Sequence, residues 1–262
     1  MRIVSICSSS KANCTYIESG GKGFIVDIGC TYKALCDGLA LAGRSITDIN
    51  AVFITHEHSN HIGGLLTLTK KLNVPVYASE GTLSMIVSKG KAAANSDLRL
   101  VEDIDNAPIN VKAHAFHTPH DSAESTDYTF SDGNSKIAVC TDLGHITEEV
   151  RQNLLGCRFV LLEANYDPEM LTRNLDYPYQ LRQRIRSDRG HLSNGDCAAF
   201  TRELVKSGTV SIMLGHLSQN NNTPELALGT VEASLRTTGA VRGRDYLLDA
   251  AAVTGNGKAI TI

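Results

Sequence analysis

The 262-residue sequence predicts a mixed α/β fold, a sandwich of β-sheets covered by helices. Three observations lead there. Short β-rich runs alternate with helical stretches along the chain. One run, RFVLLEAN at 158–165, has a continuous apolar stretch, the pattern of a fully buried strand. Hydrophobic residues make up 42% and charged residues 20%, an ordinary globular balance in a chain long enough to bury a sizeable core.

The runs RIVSIC, CTYIES and GFIVDIG open the chain as strands, and Gly-Gly-Lys-Gly at 20–23 joins the last two as a hairpin. A helix over 33–41 precedes the strand AVFIT. A helix over 61–72, the strand VPVYAS and a helical stretch to Ser88 follow. INVKAHAF, TDYTFS and KIAVCTD read as strands, then the buried run at 158–165. Helices fit 168–173, 178–186 and 194–206. TVSIMLGH is a strand before a helix at 224–236, and DYLLDA and KAITI are the last strands. No Pro- or Ser-rich linker interrupts the series and no short-period repeat occurs, so one domain over 1–262 is expected.

The net charge of −3 excludes a whole-molecule positive field, so any nucleic-acid binding must come from a local patch. The N-terminal segment has no apolar run suited to a signal peptide, and no run is long enough for a membrane span. The seven cysteines are scattered, without a CxxC pair, which fits reduced thiols in a cytoplasmic protein.

The chemistry concentrates in THEHSNH at 55–61. It falls where a strand ends and a helix begins, so its side chains can converge above a sheet edge. His56 and His58, two apart in extended backbone, point the same way. Asn60 and His61 begin the next turn and can face a second point. Two adjacent metal sites fit this layout, and imidazole and carboxylate ligands suit zinc or a similar divalent ion. Further ligands must follow other strands: HTPHD at 117–121, CTDLGH at 140–145 and LGHLS at 214–218.

This series resembles the metallo-β-lactamase superfamily: an aspartate after an early strand, then HxHxDH, a later His, a later Asp and a last His. The resemblance covers essentially the whole chain and implies a four-layer αβ/βα sandwich with two divalent metals at one edge, zinc or else manganese. It implies His56, His58 and His120 as ligands of the first metal. His61 and His216 are implied for the second, with Asn60 at that metal's carboxylate position and Asp142 as the bridge. Asp27 is implied as a structural buttress of the histidine loop. His114 and His117 compete for the place of His120, which is preferred because Asp121 follows it as in the family's His-Asp pair. His145 is expected in an outer position. A hydroxide shared by the metals would attack the electrophile, with Asp142 in the catalytic set.

EANYDPEML, YPYQLRQRIRSDRGHLSN and GHLSQNNNTPELA, in the second half, are similar in order and spacing to the YycJ/WalJ type within that superfamily. This type implies 5′-to-3′ exonuclease action on DNA. Arg182, Arg184, Arg186 and Arg189 could fork phosphate oxygens or form a solvated helix face. His191 could protonate a leaving alkoxide or hold the scissile phosphate. Ser193 and Asn194 fit a helix N-cap that could also present amides to an anion. Asn220, Asn221 and Asn222 suit phosphate or sugar contacts, or a turn. The substrate-contact set is thus Arg182, Arg184, Ser193, Asn194 and Asn221, with nucleic acid, DNA before RNA, as the partner and no membrane.

Three departures from the pattern stand out. Asn60 replaces an aspartate, which leaves the site one positive charge richer and should weaken its second metal. Tyr166 stands where the type has histidine, and SSSKAN at 8–13 replaces a glycine-rich GSSGN. Two rival functions remain: hydrolysis of a small phosphodiester or thioester on the same fold, and a degenerate metal-binding module.

Overall fold

The computed structural model describes residues Met1–Ile262. In chain order the elements begin β1 (Arg2–Ser9), β2 (Ala12–Ser19), β3 (Lys22–Val26), α1 (Tyr32–Leu41), β4 (Ile49–Phe53), α2 (Ser59–Ile62), α3 (Leu65–Lys71), β5 (Val76–Ala78), α4 (Glu80–Ser88), β6 (Leu98–Leu100), β7 (Lys112–His117) and β8 (Thr126–Ser131). They continue β9 (Lys136–Cys140), α5 (Glu148–Leu154), β10 (Phe159–Glu163), α6 (Pro168–Arg173), α7 (Tyr179–Arg186), α8 (Asn194–Lys206), β11 (Ser211–Gly215), α9 (Pro224–Arg236), β12 (Leu247–Ala250) and β13 (Ala259–Thr261). The chain divides into two compact units. The first takes Met1–Ala115, Ser122–Ser135 and Ala252–Ile262, the second Phe116–Asp121 and Lys136–Ala251.

The first unit is built on a seven-stranded sheet in the order β13-β1-β2-β3-β4-β5-β6. Its first four strands are antiparallel and the rest parallel. Both faces are covered, which the period-two pleat makes visible in the sequence. Ile25 and Val52 join the cluster that α1 and α3 complete with Leu35, Leu39, Leu65 and Leu68. Their neighbours Phe24 and Phe53 join an aromatic cluster with Tyr77, Tyr128 and Phe130, at ring separations of 4.7–5.5 Å for the contacts of Phe24 and Phe53.

In the second unit β9, β10, β11 and β12 are parallel, in the order β12-β11-β10-β9. Strand β10 lies between two partners and is buried at every position, FVLLE, which is why its apolar run is unbroken. The crossovers place α5 between β9 and β10, α8 between β10 and β11, and α9 between β11 and β12. Leu154, Leu204, Val231 and Leu235 from these helices share one core with Leu162 and Leu214.

The helices expected at 168–173, 194–206 and 224–236 occur at those bounds. The helix expected over 61–72 is instead two, α2 and α3. The Gly64 amide donates to the Ile28 carbonyl at 2.8 Å rather than continuing the helical ladder. Helix α5 and strand β6 were not expected. The first buries only Val150 and Leu154, one turn apart in a charged segment, and the second is three residues long.

Candidate metal centre

Each unit holds a cluster of ligating side chains at strand ends. In the first, β3 ends at Val26, and Asp27 follows in the left-handed region at φ 61°, buried at 2% exposure. Its Oδ1 accepts from the Thr55 amide at 2.9 Å, and its Oδ2 accepts from the Thr55 hydroxyl at 2.9 Å and from His61 Nδ1 at 2.7 Å. The Thr55 hydroxyl in turn stands 3.0 Å from His56 Nδ1 and accepts its proton. One aspartate thereby assigns the tautomers of two histidines, with Nδ1 protonated and Nε2 left as the lone-pair nitrogen. Asn13 Nδ2 lies 3.3 Å from His61 Nε2, in agreement with that assignment.

His56 and His61 are fully buried, and their rings are 4.1 Å apart. His56 Nε2 and His58 Nδ1 face each other at 3.1 Å. Two nitrogens on one tetrahedral zinc stand about 3.3 Å apart, so this pair has the spacing and the chemistry of ligands to a single ion. Asn60 lies partly buried between them and His61 in the short α2. The loop must approach residue 29 closely: a Cβ on Gly29 would stand 1.7 Å from the Asn60 carbonyl oxygen, so only glycine fits.

In the second unit the carboxyl ends of three neighbouring parallel strands bring Asp142, Glu163 and His216 together. Asp142 and His216 are again left-handed, at φ 61° and 55°. Asp142 Oδ2 is 3.0 Å from His216 Nδ1, and its Oδ1 is 3.5 Å from His191 Nδ1 and 3.6 Å from His120 Nε2. Asp142, Glu163, His191 and His216 each offer a ligand atom within 4.8 Å of the others. Within this cluster Asp142 and His216 form an acid-and-imidazole donor pair of the kind a divalent first-row ion takes, while Glu163 and His191 engage each other.

His120, 3% exposed, donates from Nδ1 to the Gly190 carbonyl at 3.0 Å, which turns its Nε2 toward Asp142. His117 and His114 are exposed on β7, and the His117 amide donates to Glu149, whereas His120 is buried beside Asp142. His145 is exposed and bonded to the Asp188 carbonyl.

Glu163, which sequence reasoning passed over, organises His191. Its Oε1 accepts from His191 Nδ1 at 2.7 Å, and its Oε2 accepts from the amides of Leu143 and Leu192 at 2.9 and 3.2 Å. Burial raises the Glu163 pKa, partly offset by His191. Burial pulls the His191 pKa down, but the charge and hydrogen bond of Glu163, aided by Asp142, outweigh it, and the net shift is upward. His191 is thus held by Nδ1 with Nε2 directed elsewhere, an acid–imidazole pair suited to proton transfer. The only sequence signal for Glu163 was a charged residue closing an apolar strand.

The predicted substrate contacts have internal partners. Arg182 donates to the Thr172 carbonyl at 2.8 Å, and Arg184 forks Asp121, with Nη2 at 3.0 Å from Oδ1. Arg186 binds the Pro168 carbonyl and the Thr172 hydroxyl, and Arg189 binds the His120 carbonyl at 2.9 Å. The run therefore braces α6 and the His120–Asp121 segment. Ser193 caps α8 through the Asp196 amide. Asn194 and Asn222 exchange side-chain bonds at 2.9 and 2.8 Å, and Asn221 Oδ1 accepts from Asn174 at 2.7 Å. Tyr166 fills a small apolar cluster with Leu171 and Ile185. All seven cysteines are free thiols, and no helix is long and apolar enough to cross a membrane.

Residues 33–213 match the family model described as beta-lactamase superfamily domain. The chain is 33% identical over 236 residues to exodeoxyribonuclease YycJ of Bacillus anthracis, covering 89% of each. It is 33% identical over 244 residues to exodeoxyribonuclease WalJ of Streptococcus pneumoniae, covering 92% of this chain and 90% of the relative. Among solved structures, the metallo-beta-lactamase fold protein YhfI from Bacillus subtilis aligns with TM-score 0.70 at 14% identity, over 99% of this chain and 98% of that one. Zn(2+)-bound PqqB from Methylobacterium extorquens aligns with TM-score 0.71 at 15% identity, over 100% of both chains. The mixed α/β fold with two sheets flanked by helices, the paired ligand clusters and these relatives agree: the chain is a metallo-β-lactamase-fold hydrolase, a member of the beta-lactamase superfamily of the YycJ/WalJ type.

Proposed function

We propose that the protein is a metal-dependent exonuclease acting on DNA, with the two units working as one domain. The ligand set is His56, His58 and His120 for one divalent ion, His61, His216 and the Asn60 amide oxygen for a second, and Asp142 for both. Zinc is the preferred ion and manganese the alternative. Support for the set comes from the His56–His58 spacing, the assigned tautomers and the acid cluster around Asp142. Bound divalent ions supply Lewis acidity, bringing water to its reactive form near neutral pH and offsetting phosphate charge.

The chain's own residues do the rest. Asp27 and Thr55 fix His56 and His61. Glu163 positions His191, whose Nε2 donates a proton to the leaving oxygen or holds the scissile phosphate. The observation that carries the phosphodiester reading is this Glu163–His191 pair, 2.7 Å apart and beside Asp142, joined to one-third identity with two exodeoxyribonucleases over most of the chain. DNA takes precedence over RNA because those relatives span the chain, whereas ribonuclease J2 of Bacillus subtilis matches over 36% of it and ribonuclease J of Sinorhizobium meliloti over 52%. The protein acts in the cytoplasm in this reading.

A substrate panel tests it. Zinc- or manganese-loaded protein is given 5′-phosphorylated duplex DNA, single-stranded DNA, RNA, a cyclic nucleotide and a thioester. Mononucleotide release from DNA, faster than turnover of the other four, is expected. Turnover of the thioester or cyclic nucleotide alone would replace the nuclease with the small-molecule reading.

A further inference from the structure

Beyond the loop that carries His216, Met170 and Arg173 of α6, with Asn174, Asp176, Tyr177, Gln219 and Asn220, line a solvent-open cavity of ≈ 570 Å³, inside the range of small-ligand sites. Gln219 is three residues from His216, so their Cα atoms are at most about 11 Å apart. A strand whose scissile phosphate lies at the His191–His216 cluster can therefore reach the cavity with a neighbouring nucleotide.

Hydrogen bonds tie the walls together, and their lining is mixed. The Tyr177 hydroxyl accepts from Asn220 Nδ2 at 3.0 Å, and Asn174 binds buried Asn221 at 2.7 Å while accepting from the Asp176 amide at 3.1 Å. Met170 and the Tyr177 ring supply apolar surface. Arg173 pairs only with Glu169 one turn back, a contact exposed at both ends and readily exchanged for a phosphate. Asp176 supplies the opposite charge, which excludes phosphate from its side and accepts hydrogen bonds instead. Leu175, between Asn174 and Asp176, is 85% exposed, and Tyr179 at the start of α7 is 64% exposed.

We propose that this cavity takes one unpaired nucleotide of the substrate strand, with its base stacked on Tyr177, its amino edge on Asp176 and the amides of Asn174 and Asn220, and its phosphate on Arg173. The proposal rests on the nuclease reading for its ligand class. It differs from the sequence expectation, which put substrate on Arg182, Arg184, Ser193, Asn194 and Asn221: Arg182 and Asn221 brace α6 and Asn174 in the walls, Arg184 is held by Asp121, and the exposed side chains of the cavity meet the strand. Cytosine, adenine and guanine present an exocyclic amino group to a carboxylate, whereas an unpaired thymine offers only a ring N3–H flanked by two carbonyls that a carboxylate repels, so the pocket ranks thymine last.

The test reads binding without catalysis. Metal-stripped protein is titrated into fluorescent, 5′-phosphorylated single-stranded oligodeoxycytidylate and oligothymidylate, and anisotropy is followed. The parent should bind the cytidylate more tightly. Tyr177→Ala should weaken it roughly tenfold, as loss of a stacked base does, and Tyr177→Phe should retain binding. Arg173→Ala should weaken both oligonucleotides and lower the salt dependence. Parent-like affinity in both alanine variants, or no binding by the parent, overturns the cavity assignment. Failure of the nuclease reading shows separately, as intact DNA in the metal-loaded parent, because the binding arm needs no turnover.

Discussion

Three residues other than glycine adopt left-handed backbone, and all three belong to the ligand clusters: Asp27, Asp142 and His216. Each follows a strand directly or by one residue, and each costs of order 1–3 kcal/mol that the surrounding hydrogen bonds must offset. The histidines and Asp142 were legible in the sequence because their spacing repeats a family pattern. Glu163 was not, because a carboxylate ending an apolar strand looks the same whether it meets solvent or a histidine. The arginines were legible as cations but not as braces, since their partners Asp121, Thr172 and His120 come from other parts of the chain. If Glu163 positions His191, Glu163→Gln and His191→Ala should each lower the phosphodiesterase rate roughly 10²–10⁴-fold. The double variant should be little worse than either, and metal content should match the parent. Additive losses in that cycle, measured with single-turnover rates, would separate the two residues.

At the level of elements, strands were read well because both sheets are covered on their faces, so apolar runs mark them without reference to neighbours. The helices missed or merged were those set by contacts: α5 exists because a parallel crossover must link β9 to β10, and α2 separates from α3 where Gly64 binds Ile28. The segment between α7 and α8 shows the same dependence. A Cβ on Gly190 would stand 2.2 Å from the Arg184 carbonyl oxygen and 2.3 Å from that of Ile185, both backbone atoms that cannot swing away. The His191 amide binds that Ile185 carbonyl at 2.9 Å, so the contact sets where the histidine emerges. Gly190→Ala should therefore destabilise the protein by about 1–3 kcal/mol, read from the urea midpoint. It should also lower the nuclease rate at temperatures where the protein is fully folded. A variant with parental stability would mean that the segment relaxes freely.

For the whole molecule, the fold class and the superfamily could be read from the order of strands and motifs, whereas the distribution of the ligands over two compact units required coordinates. The net charge of −3 matters at this scale, because it gives the chain no general attraction for a polyanion, so the proposed nucleic-acid substrate would have to be held by local contacts. In the proposed ligand set Asn60 would bear on the second metal, because an amide oxygen lacks the charge with which a carboxylate would hold a dication. The decisive measurement is the nuclease rate on 5′-phosphorylated duplex DNA as zinc is titrated into chelator-stripped parent and Asn60→Asp proteins, with bound metal counted at each addition. The account predicts no hydrolysis by stripped protein and a rate that rises with the second, weaker equivalent in the parent. In Asn60→Asp that equivalent should bind more tightly and the rate should saturate earlier. Hydrolysis by the stripped parent at the loaded rate, or two equally tight sites with no change in Asn60→Asp, would contradict it.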